Sequence, residues 1–242
     1  MAARKSSKLR QSTARGKAPQ APRILVIDVG GSHVKFRMGR RAKVKIESGP
    51  RMHPRRMVRL VRKQIEHWNC EAVSIGYPGV VKDGRITHNP HNLGKGWKGF
   101  DFRKAFGMPA RVINDAAMQA LGAYRRGTLL FLGLGTGLGT TLIVDRTLVP
   151  MELAHLHLPG EDATFESLVG DAARQRLGNA KWSRHVADLV RALRDALLPD
   201  DIVIGGGNVR YLKRMPSHTR RGNNRDAFKG GLRLWTQPPG QR

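Results

Sequence analysis

The sequence predicts an α/β protein of two lobes facing a central cleft, and three observations carry the prediction. Apolar, β-branched runs alternate with stretches of helical periodicity along the chain. Two of those runs form strand, glycine turn and return strand, and their mutual likeness suggests an internal duplication. A length of 242 residues suffices for one sizeable core or two small lobes, but not for several independent domains.

The first run, Ile24 to Val29, ends at Gly30-Gly31 and resumes from Val34 to Met38, which predicts a strand, a glycine turn and a return strand. After Pro54, the apolar residues Met57, Leu60, Val61, Ile65 and Trp68 recur at helical spacing between basic ones, so a helix is expected to cover the sheet. Ala72 to Ile75 is a short buried strand that breaks at Gly76-Tyr77-Pro78-Gly79. A Lys82-Asp83-Gly84-Arg85 turn follows, then a polar loop through Asn89, Pro90 and Asn92. The stretch from Gly94 to Gly99 is too rich in glycine for a helix. Val112-Ile113 reads as another strand, and Asn114-Asp115 opens an Ala/Met/Gln/Leu run to Tyr124 that reads as a side-chain-capped helix. Leu129 to Leu134 and Thr140 to Val144 flank the second glycine turn. Helices are expected from about Phe165 to Leu177 and from Trp182 to Leu198, and a last strand from Asp201 to Ile204 runs into Gly205-Gly206-Gly207. These elements divide into an N-terminal lobe over 24–114 and a C-terminal lobe over 115–215. Beyond Pro216 a loosely ordered basic tail, 216–242, is expected.

Charge is the compositional anomaly: 44 Lys and Arg against 18 acids give a net +26. Residues 1–23 hold seven of the cations and no acid, and read as a disordered basic arm, with an organellar transit peptide as the alternative. Residues 210–242 hold nine cations and one acid, which leaves +11 on the residues between. The excess therefore reaches the folded body and fits either a solubilising surface or an anionic ligand. Single Trp and Phe residues are scattered without basic–aromatic interleaving, so nucleic acid is not the expected functional ligand. Cys70 is the sole cysteine, which excludes an intramolecular disulfide and a multi-cysteine zinc site. No apolar stretch is long enough to span a membrane, and a cytoplasmic protein is expected.

A glycine turn after a strand exposes backbone N–H groups in a concave nest and lets a phosphate approach closely. One such turn says little, but three occur here in order: Asp28-Val-Gly-Gly-Ser-His33, Leu132-Gly-Leu-Gly-Thr-Gly-Leu-Gly-Thr-Thr141 and Ile202-Val-Ile-Gly-Gly-Gly-Asn208. No Gly-Lys-Ser/Thr follows any of them, which excludes the P-loop. No helix directly follows the first, which argues against the Rossmann fingerprint.

These turns, with Gly76-Tyr-Pro-Gly-Val-Val81, Asn89-Pro-His-Asn-Leu93, Val112-Ile-Asn-Asp115 and Glu152-Leu-Ala-His155, resemble the ROK sugar-kinase family, and within it the polyphosphate glucokinases. The resemblance runs from about Ile24 to Arg214. It implies a two-lobed actin/hexokinase-type (ribonuclease H-like) fold and transfer of a phosphoryl group to the 6-hydroxyl of glucose or a related hexose. It further implies Asp115 as general base and a sugar site of Asn92, Asn114, Glu152, His155 and Glu166. Gly30, Gly31, Ser32, Gly135, Thr136 and Gly137 would hold phosphate, Gly205, Gly206 and Gly207 a nucleotide, and Asp28 would orient Mg2+ through water. N-capping alone accounts for Asn114 or Asp115, an exposed i, i+3 pair for Glu152 and His155, and a turn-bonding acid for Asp28. Asp115 is taken at its ordinary pKa, a weak base that a loose transition state tolerates.

Many members of the family carry a zinc-binding cysteine cluster, but residues 156–176 contain no Cys, so no zinc is expected, a lack shared with the polyphosphate glucokinases. Ala154 stands where the family has Gly, and strain is expected if that position needs a positive φ. The donor is expected to be polyphosphate, with ATP as a second, and the assembly a homodimer. The alternatives are an ATP-dependent hexokinase for another sugar and a non-catalytic sugar-sensing regulator. Against the latter, the 23-residue arm is too short for a helix-turn-helix domain.

Overall fold

A computed structural model describes residues 22–90, 92–157, 162–223, 225–237 and 240. The expected basic arm lies, up to residue 21, outside the described residues. Strands β1 (Ile24–Val29), β2 (His33–Met38), β3 (Val44–Glu47), β4 (Ala72–Tyr77) and β7 (Ala110–Asn114) form one sheet in the order β3-β2-β1-β4-β7. Between β4 and β7 come a small hairpin, β5 (Val81–Lys82) and β6 (Arg85–Ile86), and the short helix α2 (Phe102–Phe106). Strands β8 (Thr128–Leu134), β9 (Leu138–Val144), β10 (Thr147–Pro150), β11 (Asp201–Gly205) and β12 (Arg220–Arg221) form the second sheet, ordered β10-β9-β8-β11-β12. In each sheet the first three strands form an antiparallel meander and the last two run parallel to its first strand. The duplication suggested by the two hairpins thus extends over five strands of each sheet.

Helix α1 (Pro54–Gln64) starts at its proline, whose fixed φ and missing N–H suit a first turn. It buries Met57, Val58 and Val61 on the outer face of the first sheet, in a core that also holds Phe36, Tyr77 and Trp97. Helices α4 (Phe165–Val169) and α5 (Asp171–Leu197) cover the second sheet through Phe165, Leu168, Trp182, Val186 and Leu189. The sequence places a break between two helices near 178–181. A break does fall there, at Gly178, whose φ of 72° and ψ of 159° are not helical and divide α5 into two helical stretches; an earlier break comes at Gly170, whose extended backbone lets Asp171 start α5.

The largest departure concerns the last segment. Instead of a loose tail, residues 220–237 supply β12 and a helix, α6 (Asp226–Thr236), that buries Ala227, Phe228 and Leu234. Helix α3 (Asp115–Ala123) and α6 pack against each other between the two sheets. α3 contacts β8 and β9, and α6 contacts β1 and β4. The helices approach backbone to backbone, because a Cβ at Gly122 would collide with the Asp226 carbonyl and one at Gly230 with that of Met118. Arg220 fixes the end of α3 by donating to the Ala123 carbonyl at 2.8 Å while paired with Asp201 at 2.6 Å. The glycine and arginine content that suggests a polar tail is what this packing requires: small residues at the helix crossing and guanidinium groups on α3's last carbonyls. Among the described residues no helix is long and apolar enough to cross a membrane.

Candidate functional site

Strands β1, β4 and β7 run parallel, so their carboxyl ends lie together at one edge of the sheet, where open α/β sheets bind ligands. There Asp28 pairs in register with Gly76, and Gly76 with Ile113 on β7, one residue before Asn114. Gly76 is needed for closeness: a Cβ would sit 3.3 Å from Met118 Sδ and 3.4 Å from the Asp115 Cα. Asp28 is thereby brought close enough to Asp115, the first residue of α3, for its charge to act on it.

Asn114 caps α3, its Oδ1 accepting the Ala117 N–H at 3.1 Å while its Nδ2 donates to the Gly79 carbonyl at 3.1 Å. The side chain expected to hold sugar is thus also the bolt between α3 and the 76–79 loop, with one N–H and one lone pair left for a ligand. Asp115 follows with its Oδ1 accepting the Ala116 N–H at 2.8 Å. It keeps a little solvent access, but protein surrounds it. Burial first, and then the negative charge of Asp28, push its carboxyl up from the ordinary aspartate value to about 7, against the pull of the Ala116 N–H and Lys35. The ordinary aspartate pKa taken from sequence is therefore corrected. A carboxylate this close to neutrality is a far better proton acceptor.

The second glycine turn lies at the same end of α3. A Cβ at Gly139 would lie 2.8 Å from the Ala116 Cβ, so the β8–β9 hairpin rests on the first turn of α3. Within the turn, Gly135 N–H donates to the Gly137 carbonyl at 3.0 Å, and Thr136 is exposed. In the first turn the Gly30 N–H is spent on the His33 carbonyl at 3.0 Å, whereas Gly31 faces Asn92, 3.4 Å from where its Cβ would be, and Ser32 is exposed. The third turn closes over the second: Gly206 has φ of 82°, and a Cβ there would collide with the Leu134 carbonyl, while Gly207 faces open space.

Two further residues hold the second turn. Asn208 donates Nδ2–H to the Gly135 carbonyl at 2.9 Å, and Asp171 offers its backbone N–H to the same carbonyl at 3.1 Å. Burial opposes ionisation of Asp171, but hydrogen bonds from Arg174, Gln175 and Asn208 outweigh it and hold its carboxyl below the usual value. Neither residue stands out in the sequence, since a lone Asn after three glycines has no period to betray it. Asn89, likewise, organises the 96–98 loop by accepting the N–H groups of Gly96, Trp97 and Lys98 at 2.9 to 3.3 Å.

Glu152, His155 and Glu166 gather near the second turn, all three exposed. Partial burial raises the Glu152 carboxyl, His155 draws it down and Glu166 raises it again, so the three sense one another's charge. Glu166 also reaches the second turn, where its Oε2 accepts the Leu138 N–H at 3.0 Å. Ala154 is buried in a short 3-10 turn, Leu153–His155, and is not among the positive-φ residues, so the strain expected there does not arise.

For a cation, the donor chemistry at Asp28 is a single carboxylate whose Oδ2 holds the Lys35 ammonium at 3.3 Å. Mg2+ is commonly bound by one or two carboxylates together with substrate phosphates and water, so this residue fits the ion.

The ROK family model matches residues 25–150. The chain belongs to the ROK family. Among relatives of this ROK protein, the polyphosphate glucokinase of Mycobacterium tuberculosis (strain CDC 1551 / Oshkosh) is 28% identical over 148 residues, 56% of this chain and 56% of that protein. The polyphosphate glucokinase of Mycobacterium leprae (strain TN) is 24% identical over 202 residues, 75% of this chain and 62% of that protein. The chain therefore spans between half and two thirds of the length of these curated relatives. The crystal structure of inorganic polyphosphate/ATP-glucomannokinase from Arthrobacter sp. strain KM superposes with a TM-score of 0.74 at 25% identity, covering 87% of this chain and 97% of that one. The fold is the actin/hexokinase-type fold of ROK sugar kinases, as the sequence resemblance implies.

Proposed function

We propose that this ROK protein transfers a phosphoryl group from inorganic polyphosphate, with ATP as a second donor, to the 6-hydroxyl of glucose or a related hexose. One observation supports the reading most: the charge of Asp28 reaches Asp115 and the β8–β9 hairpin rests on the first turn of α3, so a proton acceptor, a cation ligand and an anion nest would surround one space. The names of the relatives, polyphosphate glucokinase and polyphosphate/ATP-glucomannokinase, support the choice of donor and acceptor.

In this reading Asn92, Glu152, His155 and Glu166 fix the sugar through its hydroxyls, with the remaining N–H and lone pair of Asn114 adding to them. Asp115 accepts the proton of the attacking hydroxyl as that oxygen bonds to phosphorus. With the N–H groups of Gly30 and Gly135 spent inside their own turns, those of Gly31, Ser32, Thr136 and Gly137 face the oxygens of the transferring group and stabilise charge that spreads onto them. Asp28 would hold Mg2+, which when bound supplies positive charge against the donor's phosphate oxygens. The open side of Gly207 leaves room for the nucleoside when ATP is the donor.

The test is to supply purified protein and Mg2+ with either donor across a small hexose panel. Glucose 6-phosphate formed from polyphosphate is the expected result. An absence of transfer from both donors to every hexose would overturn the proposal.

A further inference from the structure

Helix α1 carries Arg55, Arg56, Arg59, Arg62 and Lys63, all exposed, and no acidic residue in its first turn. Three of them, Arg55, Arg59 and Arg62, stand four and three residues apart and so share one face, spaced along the axis by about 6 and about 4.5 Å. They line a groove of about 370 Å3 between α1 and α2 whose floor is Val58, Phe100 and Ala105. Arg62 is steered by a hydrogen bond to the Ala105 carbonyl at 3.2 Å, which leaves its other N–H groups facing outward. Among the described residues, none of the three is paired with a carboxylate.

This arrangement works against the helix that bears it. Like charges at i, i+4 repel, and cations in the first turn oppose the positive end of the helix dipole. Arg62 and Lys63, in the last turn, suit the dipole, but Arg55 and Arg56 do not, and a bound polyanion would relieve the repulsion and the first-turn penalty at once. The groove offers no carboxylate or amide to read a sugar or a base. Its one aromatic ring, Phe100, is committed edge-on to Phe102 with centroids 4.8 Å apart, so it is no stacking platform for a nucleobase. A ligand that is charge alone, repeated along a line, matches what is present.

We infer that the α1–α2 groove is a docking site, outside the cleft, for a linear condensed-phosphate chain, holding a long donor polymer while its end is consumed at Asp115. The inference rests on the donor reading above only in naming that polymer as the substrate. Binding to the groove is a separate property and is measured separately.

The full chain and an Arg55→Gln/Arg59→Gln/Arg62→Gln variant are titrated with end-labelled long-chain polyphosphate and with tripolyphosphate over a range of salt. The variant is expected to bind the long chain about tenfold more weakly, with a salt slope lower by about 2, and tripolyphosphate unchanged. An Arg55→Gln/Arg59→Gln variant keeps the Arg62 contact to α2 and should show most of the same loss if the triple variant proves unstable. A charge-matched control, Lys82→Gln/Arg125→Gln/Arg126→Gln, should bind as the parent does. Equal loss in the control would reduce the effect to overall charge and overturn the inference. So would single-stranded RNA of equal charge that binds as tightly and loses as much, which would make the groove a nucleic-acid site. If the parent binds long chains in the groove yet transfers no phosphate from any polyphosphate, the donor reading fails and the docking site stands.

Discussion

Glu166 Oε2 lies 3.0 Å from the Leu138 nitrogen and accepts its N–H, which joins helix α4 to the 135–139 glycine turn. A Cβ on Gly137 would collide with that same oxygen, so the turn is shaped around the carboxylate. Glu166→Ala frees the N–H and is expected to cost about 1 kcal/mol of stability. Because the turn loses its anchor, kcat should fall along with sugar affinity, whereas Glu166→Gln, which can still accept through Oε1, should retain most of the turn's order. Steady-state kinetics and thermal unfolding of both variants check this; equal kcat in the two would sever the link.

The elevated Asp115 carboxyl gives a pH dependence with a definite sign. With Asp115 as base, kcat/KM should rise with pH through about 7, as the carboxylate forms. Removing the neighbouring charge with Asp28→Asn, or screening it with a bound cation, takes away one upward push and should move that acid limb to lower pH. Stability runs the other way. The folded pKa exceeds the unfolded one, so between about 4 and about 7 the native state holds a proton that the unfolded chain has released, and stability declines across that window. Asp115→Asn should lack this decline, be at least as stable as the parent above pH 7, and be inactive. Urea midpoints at pH 5 and pH 8 test the first part; a parent no less stable at pH 8 would contradict it.

Much of this architecture is legible in the sequence, because strands β1, β8 and β11 are continuous apolar runs that end in glycine, a local signal. The residues that only tertiary contacts define are not. Asn208 and Asp171 serve Gly135 across gaps of 73 and 36 residues, and no period announces either. Strand β3, Val-Lys-Ile-Glu, is too short to stand out, and α6 is disguised by Gly230 and Gly231, which lower helix propensity where backbones must meet. The sugar-site candidates are readable only as residue types; that Asn114 spends two bonds on capping and on Gly79 requires the fold.

The crossing of α3 and α6 supplies a test of how far the last segment belongs to the body. Gly230→Ala sets a methyl against the Met118 carbonyl, and since both atoms belong to rigid helices, one helix must shift. Overpacking of this kind costs about 1–3 kcal/mol, or about 2–10 °C in Tm. Removal of residues 226–242 would go further by exposing Ile24, Val26, Ala72 and Met118, which pack against Ala227 and Phe228. Soluble, cooperative unfolding of the truncated chain at the parent's Tm would show that α6 is dispensable.

Ala154 offers the inverse experiment, restoring the glycine that the family favours. Its backbone is already within the range open to any L-residue, and its side chain is 4% exposed in the core beneath the Glu152–His155 turn. Ala154→Gly therefore relieves no strain, while it removes a buried methyl and adds backbone freedom to the unfolded chain, each worth roughly 0.5–1 kcal/mol. Lower stability is expected, together with a higher KM for the sugar, since Glu152 and His155 hang from the loosened turn, and little change in kcat. A more stable or faster Ala154→Gly protein would mean that the methyl strains the sugar loop after all, by crowding its neighbours rather than through φ.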